Sequence, residues 1–327
     1  MKTLKTDVIA GIDIGGTKCA VSLARYHGEK IVFLKKIRIP TEGENPSRAI
    51  EYFISQIANM LEESPDCHLK AIGISCGGPL NAETGMIEAP PNLPDWNHVD
   101  IYTPLKNAFH VPVHMENDAD ACAVAEWKYG SGKGTRNMVF LTFGTGMGAG
   151  LILNGSLYRG NNGLAGEVGH VRLAEDGPMG YGKAGSFEGF CSGGGIADLG
   201  KKIAQNKIAC GECPAYWQPE GGITAQKIFE SAALGDKTAC EVVQIAGKFL
   251  GKGLAMLIDI LNPEMIVIGS IYARQTEVLN QWMLPELRRE ALPASMEACR
   301  IVPAALGEQI GDYAAVAVGM QILQKAR

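Results

Sequence analysis

Hydrophobic and polar positions change period along the chain, and each change marks an element. Three runs rich in β-branched residues, Val8–Ile14, Cys19–Arg25 and Ile31–Ile39, are separated by Gly15-Gly16 and His27-Gly28 and predict a meander of three strands. A helical period follows: Ile50, Phe53, Ile54, Ile57, Met60 and Leu61 share one face after Asn45-Pro46, a cap with proline at the first helical position. A buried strand at Ala71–Ser75 ends in Cys76-Gly77-Gly78-Pro79, and a proline-rich loop containing Pro90-Pro91-Asn92-Leu93-Pro94-Asp95-Trp96 comes next. Loops this long inside a domain usually carry function. A short helix around Ile101–Phe109 leads to a strand from Val113 that runs straight into a small-residue helix at Asn117-Asp118.

After the polar turn Gly130–Gly134 the pattern restarts. Met138–Phe143 predicts a strand, Gly144-Thr145-Gly146-Met147-Gly148 a glycine corner, and Ala149–Asn154 a second strand. Gly160 to Gly195 is glycine-rich and predicts irregular structure. Helices are expected at Ile196–Gln205 and Thr224–Ala233, with a long one ending at Leu261 before Asn262-Pro263. A strand at Met265–Ile268, a helix near Gln275–Trp282, a strand at Arg300–Pro303 and a helix from Asp312 to Lys325 complete the pattern. Each half is therefore an α/β arrangement, a hairpin-first mixed sheet followed by alternating helices and strands.

Composition narrows the function classes. With 327 residues, 46% hydrophobic and 20% charged, the chain is long enough for two domains with sizeable cores. A net charge of -5 gives no basic face for nucleic acid or an anionic membrane. The first apolar run, Val8–Ile12, is too short for a signal segment or a membrane span, so a cytoplasmic protein is expected. Nine cysteines are an odd number, and Cys19, Cys76, Cys122 and Cys240 sit in apolar or small-residue runs that read as buried, reduced thiols.

Candidate chemistry gathers at strand ends. Asp118 stands where a strand meets a helix, the corner at which ligands collect in open α/β sheets, and is placed to accept a proton from a bound hydroxyl. The plain alternative is that Asn117 or Asp118 caps the helix. Asp13-Ile14-Gly15-Gly16-Thr17-Lys18 puts an acid at a strand end and two glycines in the turn after it; this suits close approach to phosphate, and equally an ordinary hairpin. Gly144-Thr145-Gly146-Met147-Gly148 has the glycines of a dinucleotide fingerprint, but strand and not helix follows, so a phosphate-binding hairpin fits better than a dehydrogenase. A Cβ at Gly146 is then expected to obstruct phosphate more than any second substrate. Glu167 and His170, three apart among small residues, suit hydrogen bonds to a polyhydroxylated ligand or form a surface pair, and Glu188 is similarly open. Gly269-Ser270 and Gly311-Asp312 are places for backbone approach to a ligand, or caps. Cys210-Gly-Glu-Cys213 is half a zinc knuckle without a second pair of ligands at a convincing spacing.

Together these motifs resemble the ROK family of bacterial sugar kinases and repressors, and the likeness runs over nearly the whole chain. Asp13-x-Gly-Gly-Thr17-Lys18 is similar to the family's first phosphate motif and Gly144-Thr-Gly-x-Gly to its second. Gly77-Gly78 and Pro91-Asn92-Leu93-Pro94-x-Trp96 are similar to its sugar-loop motifs, and Asn117-Asp118-Ala to its catalytic motif. The resemblance implies a two-domain actin-like ATPase (ribonuclease H-like) fold, each domain a mixed sheet flanked by helices. The smaller domain would span residues 1–120, completed by the helix 310–327, and the larger 121–309. It implies an ATP-dependent, glucokinase-like transferase acting on a primary hydroxyl, O6 of a hexose or hexosamine-type sugar, with two domains closing over the reactants to exclude water. Asp118 would be the base. Gly78, Asn92, Asn117, Glu167, His170 and Glu188 would bind the sugar. Asp13, Gly15, Gly16, Thr17, Lys18, Gly144, Thr145, Gly146, Gly269, Ser270 and Gly311 would bind ATP, with Mg²⁺ held through water by Asp13. A homodimer is expected.

One departure stands out. Many members follow the histidine with a cysteine cluster that holds zinc; the matching positions here are Met179, Tyr181 and Ser186, none of which replaces a thiolate. No zinc site is expected, the loop being held by packing of Met179, Tyr181 and Phe187. A relocated site using His170 with Cys191, or with Cys210 and Cys213, is the competing idea. The rival function is a ROK-type sugar-responsive regulator; a DNA-binding helix-turn-helix would precede the first phosphate motif, which begins within the first strand. An actin-like filament or chaperone ATPase would not need Glu167, His170 and Glu188. Which sugar is used depends on loop geometry beyond the reach of the motifs.

Overall fold

The computed structural model describes residues 5–27, 30–218 and 222–325. They fall into two compact units. The first comprises residues 1–134, 160–163 and 308–327, and the second residues 135–159 and 164–307.

In the first unit, strands β1 (Thr6–Ile14), β2 (Lys18–His27) and β3 (Lys30–Pro40) form the meander, and β4 (Cys67–Cys76) and β8 (Val113–Asn117) join parallel to β1 in the order β3-β2-β1-β4-β8. A small antiparallel sheet of β5 (Leu80–Asn81), β6 (Met86–Glu88) and β7 (Asn97–Asp100) projects between β4 and β8 in sequence. Both faces of the main sheet are covered, which is why β1 and β4 are apolar almost without alternation. Helices α1 (Pro46–Glu62) and α2 (Tyr102–Phe109) lie on one face. Asn45 caps α1 as expected, its Oδ1 accepting from Arg48 N–H at 3.1 Å. The other face carries α3 (Asp118–Tyr129) and the last helix, α10 (Ile310–Lys325). Approach there is close: a Cβ on Gly73 of β4 would sit 2.0 Å from the Ala315 carbonyl, and one on Gly319 would meet Ile9 at 2.7 Å. Because α3 packs along α10, the expected boundary near residue 120 falls inside a helix that belongs wholly to this unit.

The second unit repeats the topology. Strands β9 (Met138–Leu141), β10 (Ala149–Leu153) and β11 (Ser156–Tyr158) form a meander, and β14 (Met265–Ile268) and β15 (Arg300–Pro303) join parallel to β9, in the order β11-β10-β9-β14-β15. The glycine-rich stretch that reads as irregular contains a two-residue hairpin, β12 (Met179–Gly180) with β13 (Lys183–Ala184), a short helix α4 (Phe187–Phe190), and the start of α5 (Gly193–Ala209). Three consecutive glycines open α5 because Ser192 caps it and Gly195 packs flat on α4, where a Cβ would lie 1.9 Å from the Gly189 carbonyl. Helices α6 (Ala225–Ala233), α7 (Lys237–Leu261), α8 (Ser270–Glu290) and α9 (Pro293–Ala298) follow; α8 extends both ways beyond the expected helix, with a kink at Gln275. Central α7 buries a near-continuous face, and Phe187 of α4 lies against Gly253 on it, 2.2 Å from where a Cβ would be.

Thiols follow burial and not sequence context alone. Cys19 and Cys76 are buried and Cys122 partly so, but Cys240 is exposed, because its helical turn presents it away from the core; all nine cysteines are free.

Candidate active site

The first unit holds the two acids singled out from the sequence. Asp13 ends β1, in register with Ala20 on β2 and Ser75 on β4, and Ser75 hydrogen-bonds its carboxylate. Gly311, in the first turn of α10, leaves room for it: a Cβ there would fall 2.3 Å from Asp13 Oδ2. Burial raises the Asp13 carboxyl to about 6, and the nearby carboxylates of Asp312 and Asp118 push the same way, against Ser75 and Arg38. Asp312 is itself 4% exposed and ion-paired with Lys36, with Arg38 3.6 Å away. Asp312 is visible in the sequence only as half of Gly311-Asp312, and its cationic partners do not stand out at all, because strand β3 alternates and its lysines read as an ordinary solvated face.

At the β8–α3 corner the cap belongs to Asn117 and not to Asp118. Asn117 Oδ1 accepts from Asp120 N–H at 2.8 Å, and its Nδ2 donates to Asp120 Oδ2 at 3.0 Å. Asp118 is exposed at the first position of the helix, one oxygen accepting from Ala119 N–H at 2.8 Å. A helix N-terminus is where a carboxylate is electrostatically favoured. The buried Cys76 thiol is pushed up by burial first and then by Asp118, which places the two side chains in one neighbourhood and leaves the thiol protonated.

The first glycine turn is fixed from two sides. Gly15 N–H donates to the Lys18 carbonyl at 3.1 Å, and Thr41 Oγ1 donates to the Gly15 carbonyl at 2.6 Å. Asn92, from the proline-rich loop, sits against this turn: a Cβ on Gly16 would be 2.6 Å from Asn92 Cβ, and one on Gly77 3.4 Å from its Oδ1. That loop is anchored by buried Leu93 and Trp96, the indole donating to the Glu42 carbonyl at 3.3 Å. Gly78, by contrast, has open space where a side chain would be, and Thr17 and Lys18 are exposed.

In the second unit the second glycine corner meets an acid. Met147 N–H donates to Glu188 Oε2 at 2.9 Å, and a Cβ on Gly146 would lie 2.8 Å from the same oxygen. Gly146, expected to lie against phosphate more than against a second substrate, also borders Glu188, because Ser186 caps α4 and turns the next acid toward the corner. Gly144 lies beside Ser270, 3.4 Å from a Cβ to Oγ, and Ile271 N–H donates to the Phe143 carbonyl at 2.9 Å, so Gly144 and the Gly269-Ser270 cap come together. Thr145 at the tip is exposed. Glu167, exposed, and His170 flank a single 3-10 turn, and a Cβ on Gly169 between them would meet the Met147 carbonyl at 2.3 Å, which ties this turn to the same corner.

The positions matched to zinc cysteines do not pack as expected. Met179 and Tyr181 are 52% and 60% exposed, and only Phe187 enters the core. The hairpin leaves them on its outer side, and the loop is held instead by polar contacts. Ser186 Oγ, fully buried, donates to the Gly180 carbonyl at 3.3 Å and accepts from Gly189 N–H at 3.1 Å. Lys183 Nζ donates to the His170 carbonyl at 2.7 Å. Among the described residues no three His, Cys, Asp or Glu side chains are grouped to hold a metal ion; Cys191 is buried in the core, while Cys210 and Cys213 are exposed. No described helix is long and apolar enough to cross a membrane.

Comparison with known proteins agrees with this fold. The family model described as "ROK family" matches residues 9–326. A glucokinase from Halalkalibacterium halodurans is 31% identical over 92% of this chain and 91% of its own. A solved ROK family glucokinase from Streptomyces griseus, in complex with glucose and AMPPNP, superposes with a TM-score of 0.73 at 27% identity, covering 96% of this chain and 99% of that one. A xylose repressor from Caldicellulosiruptor bescii is 28% identical over 80% of this chain and 65% of its own length.

Proposed function

The chain belongs to the ROK family, with its actin-like ATPase fold, and on that premise we propose that it is an ATP-dependent sugar kinase. The acceptor is the primary hydroxyl, O6, of a hexose or hexosamine-type sugar, and Asp118 is the general base. One observation carries the assignment. Asn117 caps α3, and the acid beside it, at the first position of the helix, stands exposed at a strand end, where a ligand hydroxyl can reach it. As the sugar oxygen bonds to the γ-phosphorus, its proton passes to Asp118 and the bond to the β,γ-bridging oxygen breaks, releasing ADP.

The remaining residues bind and orient. Asn92, seated on the Gly15-Gly16 turn, together with Gly78, Asn117, Glu167, His170 and Glu188, is assigned to the sugar. The turn Gly15-Gly16-Thr17-Lys18, the corner Gly144-Thr145-Gly146 and the cap Gly269-Ser270, with Gly311, are assigned to ATP. Asp13 fits a Mg²⁺ ion: it is a hard oxygen donor in a recess kept open by Gly311, its carboxyl is raised by burial first, and the nearby carboxylates of Asp312 and Asp118 add negative charge there. Bound at that place, Mg²⁺ supplies charge neutralisation to the phosphates.

The match to a xylose repressor supports a second reading, a sugar-responsive regulator that binds without turnover. A coupled ADP-release assay over a panel of sugars separates the two. Sugar-dependent ADP release supports the kinase; binding of a sugar, seen by calorimetry, without any release supports the regulator.

A further inference from the structure

Tyr181 makes an unusual contact from an unusual backbone. It occupies the turn of the β12–β13 hairpin with φ +47°, the left-handed region that a bulky L-residue enters only at a cost in free energy. Glycine stands on both sides of it, Gly180 and Gly182, yet tyrosine holds the strained position itself. The ring is 60% exposed, so core burial does not offset that cost. It does make a ring contact: the Tyr181 and His170 rings meet edge to face, with centroids 4.6 Å apart and planes at 75°. Two residues on, Lys183 Nζ holds the His170 carbonyl. One hairpin thus grips both the ring and the backbone of His170. Strain that persists without a packing reason points to function.

We propose that Tyr181 is a positioning residue for the sugar site, fixing the orientation of the His170 imidazole through the edge-to-face contact where no metal-ligand set is available to do so. The inference rests on the assignment of His170 to the sugar. An imidazole that hydrogen-bonds a hydroxyl through one ring nitrogen has to be held by something else, since rotation about its side-chain bonds moves that nitrogen away from the ligand. Tyr181 supplies the hold from one side and leaves the ring nitrogens for other partners.

The test uses the full chain and four variants, with KM for glucose, KM for ATP and melting temperature as readouts. Tyr181→Gly removes the ring and suits the positive φ, so the melting temperature does not fall, while KM for glucose rises by about three- to tenfold, the scale of one aromatic pair, with KM for ATP unchanged. Tyr181→Phe keeps the edge and restores the parent values. His170→Ala raises KM for glucose on its own, and Tyr181→Gly adds nothing further in that background. A silent Tyr181→Gly beside an effective His170→Ala overturns the positioning role alone. If His170→Ala is silent as well, the sugar assignment fails and the inference with it. A fall in melting temperature with both KM values rising together, or a Phe variant that behaves like Gly, also overturns it.

Discussion

Glu188 is seated on the second glycine corner: its Oε2 accepts from Met147 N–H at 2.9 Å, and the space beside it exists because residue 146 has no side chain. A substitution at this glycine therefore reports on the acid as well as on phosphate. Gly146→Val is expected to raise KM for sugar about tenfold, the scale of ~1.5 kcal/mol for a displaced charged hydrogen bond, and to raise KM for ATP too. Gly144→Ala is the cleaner nucleotide probe, because its Cβ meets only the Ser270 side chain, at an ordinary 3.4 Å from Oγ. Steady-state kinetics with each substrate varied in turn distinguish the two, and a Gly146→Val enzyme with an unaltered sugar KM would contradict the placement of Glu188.

Asp118→Asn removes the proton acceptor with little change in shape. The expected result is a kcat lower by at least about a hundredfold, with both KM values within a few-fold of the parent. Near-normal turnover in a coupled assay would assign the acid elsewhere.

Asp13 makes stability depend on pH in a fixed direction. Its folded value, about 6, lies above the ordinary 3.8, so the folded state prefers the protonated acid; that contribution is complete below about 3.8 and is lost as pH rises through about 6. Asp13→Asn has no such loss. In Mg²⁺-free urea denaturation the variant should gain on the parent between pH 4 and about 6, and the difference should level off above that. A difference that shrinks over the same range would mean the carboxylate is stabilised by its surroundings.

The pair of Lys36 and Asp312 joins β3 to the start of α10. Lys36→Met leaves an acid 4% exposed with Arg38 alone at 3.6 Å, and is expected to cost about 3 kcal/mol of unfolding free energy, the lower end for a broken buried pair. Adding Asp312→Leu should recover most of it. A double-mutant cycle by denaturant titration checks the coupling, and strict additivity would show that the pair contributes nothing of its own.

How much of this was legible in the residues depends on the scale of the signal. The repeated meanders were readable because β-branched runs broken by glycine have few other outcomes, as Val8–Ile14 and Met138–Leu141 show. Helix ends were readable where a cap announced them, as at Asn45-Pro46 and Asn262. The start of α5 was not, since glycines at 193 to 195 contradict helix propensity and are explained only by what lies against them, the Gly144 carbonyl at Gly193 and the Gly189 carbonyl at Gly195. The acids at 13, 118 and 188 were visible as residues in motifs. Their pairings were not: Asp312 beside Asp13 and the Met147 N–H on Glu188 join motifs far apart in sequence, and nothing local marks Lys36 as the partner of Asp312. The outward placement of Met179 and Tyr181 was invisible for the same reason, because side-chain size predicts burial only when the backbone turns inward.

The glycines under α10 have a consequence for the order in which the protein is made. Gly11, Gly73 and Gly319 fit strand and helix together so closely that a Cβ at any of the three would clash. The ribosome delivers α10 some three hundred residues after β1, with every residue of the second unit in between. At elongation rates of roughly 5–20 residues per second, the part of the first sheet that α10 covers waits on the order of fifteen seconds or more for that helix. The second unit is complete before that cover exists. Nascent chains are therefore most exposed to chaperones and to mispairing through the older half of the molecule, and a translational pause just before residue 310 would lengthen that window without altering a single contact of the finished fold.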